Sequence, residues 1–360
     1  MLGLVPIARS MHCCRPVGVV PSAIVASGAF LPLPFEARQS PPMLNRSFWH
    51  RALTVGFGLL TLWNAGLAQA EQCPPPPQIP TEAQAADAAR AAQDRGFLWS
   101  VQRDGKTSYL YGTLHVGKLA WAMPGPRVAK ALRASQVLAM ELDVSDPRVQ
   151  QQMAALVRSD GPSSLSAEAQ AQLREAAKAL CVDWDTLGPL RPEFQLTTLL
   201  MTLARYEDLD AGFGSEVALA AVAPHLGLPT RSLETGTEQV AALSAASSAE
   251  LAEWVQTGVN DLRTDKARRQ LRKLSRVWAD SDIQRLERYP HWCECEGTAA
   301  ERAVLDRVVK QRNVTLAERI DALIRQEGPA FVAVGASHMV GSHGLPALLK
   351  ARGFTVKQVF

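Results

Sequence analysis

Two stretches of this chain repeat one pattern, and that pattern limits the folds open to it. Residues 109–117 read YLYGTLHVG, and residues 331–341 read FVAVGASHMVG. Each is a β-prone apolar run followed by Gly-x-x-His and a further glycine, and each precedes a helix-like segment and a second strand-like run. We predict two strand–Gly-x-x-His–helix–strand units that the fold brings together, so that His115 and His338 face a common site.

The residue types in the repeat suit a functional site. A glycine three residues before each histidine leaves room for another group to come close. A histidine just after a strand lies at its carboxyl end, where open α/β sheets bind ligands. A single such histidine is more often a structural residue under a loop, but the duplication favours a shared metal or acid–base site at His115 and His338.

Carboxylates follow the second strand of the first unit. In residues 137–143 the apolar side chains run to the carboxyl end, where Glu141 and Asp143 lie. Such carboxylates are costly to bury unless they are paired or bound to a metal. We expect Glu141, which lies further into the strand, to be a site residue, and the alternative is a salt bridge to an arginine.

Three more charged residues are candidates for the same site. Glu216 and Glu234 each lie beside a predicted helix start, where they either line the site or cap the helix. Arg312 lies at the predicted joint between helices over 299–310 and 316–326. It either pairs with a carboxylate of the site or binds a substrate carboxylate.

The remaining pattern predicts an α/β (α+β) fold. Runs at 97–101 and 108–112 flank Asp104-Gly105, a strong hairpin turn signal. Between the two units, apolar residues recur at three- and four-residue steps. We therefore predict a central mixed sheet built from the two units, with a large helical insertion at about 146–325 inside a domain spanning 97–360.

The N-terminal region predicts export. Residues 1–42 are Pro-rich and patternless, which is typical of misassigned upstream sequence, and Met43 is a more plausible start. Residues 43–70 have the basic, apolar and small-x-small parts of a signal peptide, ending at Ala68-Gln69-Ala70. We expect cleavage after Ala70, which leaves a Pro/Ala-rich leader over 71–96. The protein would then be periplasmic or secreted by Gram-negative-type export, with no stable membrane span after cleavage.

The charge of the chain argues against a nucleic-acid partner, and its cysteines bear on the possible disulfide pairing. The net charge of the whole chain is +3. Residues 1–70 hold five Arg and one Glu and carry +4, so residues 71–360 carry −1. This part of the chain therefore lacks the excess of positive charge that is typical of nucleic-acid binding. The remaining cysteines are Cys73, Cys181, Cys293 and Cys295. Their pairing is open, but a Cys-x-Cys bridge would be strained, so we expect Cys293 and Cys295 each to pair with a distant partner.

Five motifs together resemble the TraB/GumN family, which includes the pheromone-shutdown TraB and PrgY proteins and is similar to the TIKI metalloproteases. They are YGTLHVG at 111–117, MELD at 140–143, LETGTEQ at 233–239, QRN at 311–313 and VGASHMVG at 334–341. The resemblance covers residues 97–360. It implies an α/β core of two repeated units with a helical insertion, and metal-dependent peptidase activity of the kind described for TIKI-like relatives with Mn or Co.

Carried over by position, the resemblance makes His115, Glu141 and His338 the metal or catalytic set. The hypothesis is metal-assisted hydrolysis of a peptide or other amide, with Mn, Co or Zn as the ion and Glu234 or Asp143 as proton acceptor. The partner would be a peptide or small-molecule substrate. Two alternatives remain open: a non-catalytic periplasmic ligand-binding protein, and a haem or metal carrier, since paired histidines also bind haem.

Overall fold

The computed structural model describes residues 73–360, and its centre is a six-stranded mixed sheet. The strands are β1 (Phe97–Arg103), β2 (Lys106–Thr113), β3 (Val137–Met140), β4 (Thr230–Ser232), β5 (Ala330–Gly335) and β6 (Thr355–Gln358). Their order across the sheet is β4-β3-β5-β2-β1-β6. Strands β4, β3, β5 and β2 run parallel, and β1 is antiparallel to both β2 and β6. The prediction of an α/β fold with a mixed sheet is confirmed.

The predicted hairpin and the predicted repeats are both present. The hairpin pairs Phe97 with Gly112 and turns at Asp104-Gly105, where both residues have positive φ, 51° and 73°. The first unit runs from β2 through helix α2 (Pro126–Arg133) to β3, and the second runs from β5 through helix α15 (Leu345–Ala351) to β6. The units interleave, because β5 lies between β2 and β3 while β2 and β1 lie between β5 and β6.

This interleaving positions the site. Strands β2 and β5 are parallel neighbours in the register Tyr109↔Phe331 to Thr113↔Gly335, so both Gly-x-x-His loops leave the same edge of the sheet. The chain then crosses from β2 toward the β4 edge and from β5 toward the β6 edge. Neighbouring strands whose connections diverge in this way form a ligand-binding crevice in open α/β sheets.

The rest of the described chain is mainly helical. The other helices are α1 (Glu82–Arg90), α3 (Pro147–Leu156), α4 (Ala167–Ala179), α5 (Trp184–Leu187), α6 (Pro192–Ala204), α7 (Ser215–Val222), α8 (Gly236–Ala242), α9 (Ser248–Arg263), α10 (Lys266–Ala279), α11 (Ile283–Glu287), α12 (Tyr289–Trp292), α13 (Ala299–Leu305) and α14 (Arg312–Glu327). Local signals explain their starts: Thr81, Thr235 and Thr298 form capping boxes with the third residue of α1, α8 and α13.

The two largest of four apolar cores in the described residues hold these layers together. One packs both faces of the sheet, with Phe97, Leu138 and Phe331 at most 1% exposed. The other lies mainly within the helical insertion, includes Leu199 and Val255, and reaches Val116 beside the sheet. Burying each such side chain contributes about 1.5–3 kcal/mol, so the sheet is a rigid support for the residues at its edge.

The predicted break between two helices at Arg312-Asn313 is wrong. Residues 299–327 form one continuous helical run, in which Asp306–Gln311 is π-helical and joins α13 to α14. No glycine or proline interrupts this stretch, so nothing in the backbone chemistry requires a break. The polar pair that suggested a joint instead projects from the helix into the site.

The expected cysteine pairing is also wrong for Cys293 and Cys295, which form a disulfide with each other. Glu294 between them has φ +50°, and this left-handed turn brings the two Cα atoms to 5.0 Å, within the normal range for a disulfide. Cys73 pairs with Cys181 and ties the leader to the insertion.

Two predictions concern the N-terminal region, which the structure does not describe. The proposed upstream segment (1–42) and signal peptide (43–70) lie outside the described residues. Among residues 73–360, no helix is both long and apolar enough to cross a bilayer.

Candidate functional site: paired histidines and buried carboxylates

The two histidines meet beside Gly335. A methyl carbon built on Gly335 would lie 3.7 Å from Nε2 of His115, 3.6 Å from Cδ2 of His338 and 3.4 Å from Oε1 of Glu141. Three side chains from distant parts of the sequence therefore surround one point at the carboxyl ends of β2, β5 and β3. The prediction that the fold brings the histidines together is confirmed, and we call this group the paired-histidine site.

The prediction that each glycine of the repeat allows a close approach holds for Gly112 but not for Gly335, where an added methyl would meet its neighbours at ordinary contact distances of 3.4–3.7 Å. A methyl carbon on Gly112 would lie 3.3 Å from Cα of Ala336 and 3.2 Å from Cγ of Met339. The glycine of the first unit thus makes room for the loop of the second. Gly335 lies beside the side chains of His115, Glu141 and His338.

Glu141 lies one residue beyond β3 and is held on both oxygens. Its Oε1 accepts the backbone N–H of Gly335 at 2.8 Å, and its Oε2 accepts from Arg312 and, at 3.4 Å, from Nε2 of Gln239. Burial opposes ionisation, but Arg312, the two imidazoles and the Gly335 N–H lower the pKa of the Glu141 carboxyl well below its usual range. Glu141 is therefore a carboxylate at neutral pH.

Arg312 links the two predicted carboxylates. Its guanidinium donates to Oε2 of Glu141 and to both oxygens of Glu234, with Nε 2.9 Å from Glu234 Oε1. Its Nη1 donates to the Val308 carbonyl at 3.1 Å and lies 3.4 Å from Nε2 of His338. Burial disfavours the charged guanidinium, yet Glu141 and Glu234 raise the pKa of Arg312 above its usual value. Of the two roles predicted for Arg312, the structure has the carboxylate pairing.

A carboxylate contacts the Nδ1 atom of His115 and orients its ring. Its Nδ1 contacts Oε1 of Glu216, in the first turn of α7, and its side chain is 23% exposed. Ser215 fixes this contact, because its hydroxyl accepts the Leu114 N–H at 2.8 Å and its own N–H donates to the Leu114 carbonyl. Burial would lower the pKa of His115, but Glu216 outweighs it and raises the pKa overall.

A side-chain amide contacts the Nδ1 atom of His338 and orients its ring. It is 3% exposed, and its Nδ1 lies 2.6 Å from Oδ1 of Asn313. The Asn313 amide N–H groups donate to the carbonyls of His338 and His343, so Oδ1 is the acceptor and Nδ1 of His338 carries the proton. Nε2 of His338 then carries a lone pair, and Nη1 of Arg312 lies 3.4 Å from it. Burial, with a smaller contribution from Arg312, lowers the pKa of His338 to about 3 against the opposing effect of Glu141.

Asp143 lies apart from this network. Its backbone N–H donates to Ser232, and its carboxylate accepts from the N–H and hydroxyl of Ser145 in a local turn. Asn313, by contrast, was given no role by sequence reasoning. The available signal was its position: it shares a helix face with Leu316, Ala317 and Ile320, and a polar residue on a buried apolar face needs a partner.

The donor chemistry fits a divalent cation. Metal-binding histidines usually hold their second ring nitrogen with a carboxylate or carbonyl group, as Glu216 and Asn313 do here, and imidazole with carboxylate suits Mn, Co and Zn. Within residues 73–360, however, no group of three or more His, Cys, Asp or Glu side chains is already arranged to hold an ion. Both oxygens of Glu141 already have partners, since Oε2 accepts from Arg312 and Oε1 accepts from the Gly335 N–H.

Together, the sheet and its edge define a class: an α/β protein with two interleaved strand–Gly-x-x-His units and a buried Glu–Arg–Glu network between their histidines. The profile of the TraB/PrgY/gumN family matches residues 97–358, and the chain belongs to this family. No curated protein matches the chain significantly, and no solved structure does so either.

Proposed function

We propose that this protein is an exported, metal-dependent hydrolase that cleaves a peptide or another amide. The supporting observation is the convergence of the ring of His115, the ring of His338 and the Glu141 carboxylate around Gly335. Family membership alone would not carry this proposal, since a fold does not fix a function.

The chain's own residues would hold the ion and move the proton. His115, Glu141 and His338 are the proposed ligands, with Glu216 and Asn313 holding the Nδ1 protons so that each Nε2 presents a lone pair. A bound Mn, Co or Zn ion would lower the pKa of a water molecule and polarise the scissile carbonyl. Glu234 is the proposed proton acceptor.

The charges of the site are consistent with an added cation. With both histidines neutral, Glu141, Glu216 and Glu234 carry −3 and Arg312 carries +1, so the group is left with a net charge of −2. A divalent ion would neutralise it. For this, Arg312 would withdraw from Glu141 while keeping its two contacts with Glu234.

Metal content tests the ligand assignment. We expect the wild-type protein, purified without chelator, to contain Mn, Co or Zn by elemental analysis, and His115→Ala and His338→Ala each to lose it while remaining folded. His225→Ala is the matched control, because His225 is exposed on a helix end away from the site. Equal metal content in the wild type and all three variants would contradict the assignment.

Turnover tests the catalytic assignment separately. We expect peptide-library cleavage to require added Mn or Co, and Glu234→Gln to abolish cleavage while keeping the metal. A metal-bound protein that cleaves nothing would support the second candidate, a non-catalytic binding protein. That candidate is favoured by one observation, the engagement of both carboxylates by Arg312. A Soret band in the purified protein would instead identify a haem carrier.

The export part of the proposal is supported by the two disulfides, Cys73–Cys181 and Cys293–Cys295. Disulfides persist mainly in oxidising compartments such as the periplasm. Mass spectrometry of the protein from a periplasmic fraction would give an N-terminus at Glu71. An N-terminus upstream of residue 43 on cytoplasmic protein would contradict it.

A further inference from the structure

The helical insertion contains a cavity that the paired-histidine site does not use. It lies between α6, α9, α10, α12 and α13, and its volume is about 150 Å³. Most of its wall is apolar, formed by Leu196, Leu200, Trp254, Leu271, Leu274 and Leu305. We call this space the insertion cavity.

The size of the cavity selects a small guest. An engineered apolar protein cavity of about 150 Å³ stays dry and binds benzene. A single six-membered ring or a short branched chain would therefore fill the insertion cavity. Trp254 and Tyr289 add aromatic residues to the wall, and the Cys293–Cys295 disulfide forms another part of it.

The charged residues of the cavity wall favour a positively charged ligand. They include three acidic residues, Asp261, Glu294 and Glu301, against one basic residue, Lys266. Nζ of Lys266 lies 3.2 Å from Asp261, so the single cation is already paired. Burial raises the pKa of Asp261, and Glu301 and Glu294 add to this, against the opposing effect of Lys266. An additional positive charge would relieve this crowding of carboxylates.

We propose that the insertion cavity binds a small hydrophobic amine, with its apolar body among the leucines and its ammonium group beside Asp261 and Glu301. An ammonium group is also attracted to aromatic faces such as those of Trp254 and Tyr289. This site is separate from the paired-histidine site and stands whether or not that site binds a metal.

Three probes of similar size and different charge test the proposal: benzylammonium, benzyl alcohol and benzoate. Each is titrated into the intact purified protein and followed by calorimetry and ligand-observed NMR. We expect saturable binding of one benzylammonium, about tenfold tighter than benzyl alcohol at low salt, with benzoate weakest, because partly exposed charge pairs contribute modestly. The advantage of benzylammonium should shrink as salt is added.

Two variants locate the binding. Ala267→Leu adds three carbon atoms to the cavity wall on α10 and should abolish binding of both benzylammonium and benzyl alcohol. Glu301→Gln removes a charge but keeps the helix cap, since glutamine can also accept the Thr298 N–H. It should weaken benzylammonium severalfold and leave benzyl alcohol unchanged.

The proposal is overturned if none of the probes binds saturably at millimolar concentration, or if Ala267→Leu folds and binds them as the wild type does. Equal affinity for all three probes would overturn the assignment to amines. If Ala267→Leu fails to fold, Glu301→Gln decides the question alone, because loss of selectivity for benzylammonium is expected only when the guest lies beside residue 301.

Discussion

The two Gly-x-x-His units share a pattern but give their histidines opposite surroundings. In the first unit, Nδ1 of His115 contacts the Glu216 carboxylate, the side chain is 23% exposed and its pKa is raised. In the second unit, Nδ1 of His338 contacts the neutral Asn313 amide, Arg312 lies beside Nε2, and the pKa falls to about 3. Duplication thus fixed where the histidines lie, while their neighbours fixed how strongly each binds a proton.

The largest expected effect comes from removing Arg312, which lies beside His338 but not beside His115. We expect Arg312→Met to destabilise the protein by about 3–5 kcal/mol at pH 7, because Glu141 and Glu234 would remain buried without their partner. The loss should shrink as the pH falls, because protonation of Glu141 removes the unpaired buried charge. Denaturant unfolding at several pH values measures it.

Arg319→Met is the matched control for that change. Arg319 lies on the same helix and pairs with Glu238, but both side chains are more than one-third exposed. Such a pair contributes about 0–1 kcal/mol. Equal destabilisation by the two substitutions would contradict the view that the Glu141–Arg312–Glu234 network is an interdependent buried unit.

The next effect is a pH dependence of opposite sign at the two histidines in metal-free protein. Folded His338 binds fewer protons than it does in the unfolded chain below pH 6.5, so its contribution to stability falls by about 1.4 kcal/mol per unit as the pH drops toward 3. His115 has a raised pKa, so its contribution is present at low pH and is lost as the pH rises through that pKa.

Ring resonances in two-dimensional NMR distinguish these titrations directly. His115 should titrate above pH 6.5, while His338 should stay neutral at pH 4.5. The stability difference between the wild type and His338→Gln should follow the same window. Titration of both rings at one pH would remove the contrast between the units.

Exchanging the Nδ1 partners should produce a smaller, reciprocal effect. Asn313→Asp should raise the pKa of His338, because it places a carboxylate beside Nδ1, and Glu216→Gln should lower the pKa of His115, because it removes one. Asn313→Asp also loses two donated hydrogen bonds, to His338 and His343, so some destabilisation will accompany it. Unchanged ring titrations in both variants would show that the Nδ1 partners do not cause the difference between the two pKa values.

The smallest expected effect concerns the two glycines. A methyl on Gly112 meets atoms at 3.2–3.3 Å, so Gly112→Ala should cost about 1–3 kcal/mol of stability. A methyl on Gly335 meets its neighbours at 3.4–3.7 Å, so Gly335→Ala should change stability by less than about 1 kcal/mol. Its methyl would nevertheless lie among the proposed ligands and should lower metal content. Equal metal content in the two variants would contradict this.

The sheet and the meeting of the histidines could be predicted from the sequence because both depend on local signals. Strand runs, the Asp104-Gly105 turn and the position of each histidine after a strand are all visible within a few residues. Parallel pairing of β2 with β5 then places two equivalent loops at one edge. Glu141 was predictable for the same reason, because it ends an apolar strand.

The rest depended on contacts between distant side chains. Arg312 was identified as a partner for some carboxylate, but its simultaneous hold on Glu141 and Glu234 depends on how α14 packs against the sheet. Asn313 was misinterpreted as part of a helix joint because polar pairs often mark loops. The Cys293–Cys295 pairing was missed because it depends on the left-handed backbone of Glu294, which carries no sequence signal of its own.

The π-helical segment Asp306–Gln311 adds one residue to the helical run that is otherwise formed by α13 and α14. Each residue of an α-helix turns it by about 100°, so the extra residue sets the angle between the face of α13 that packs in the insertion and the face of α14 that carries Arg312 and Asn313. Shortening the segment by one residue would swing one face away from its neighbours while the other stayed in place. The angle between these two helix faces is therefore encoded in a single residue of helix length.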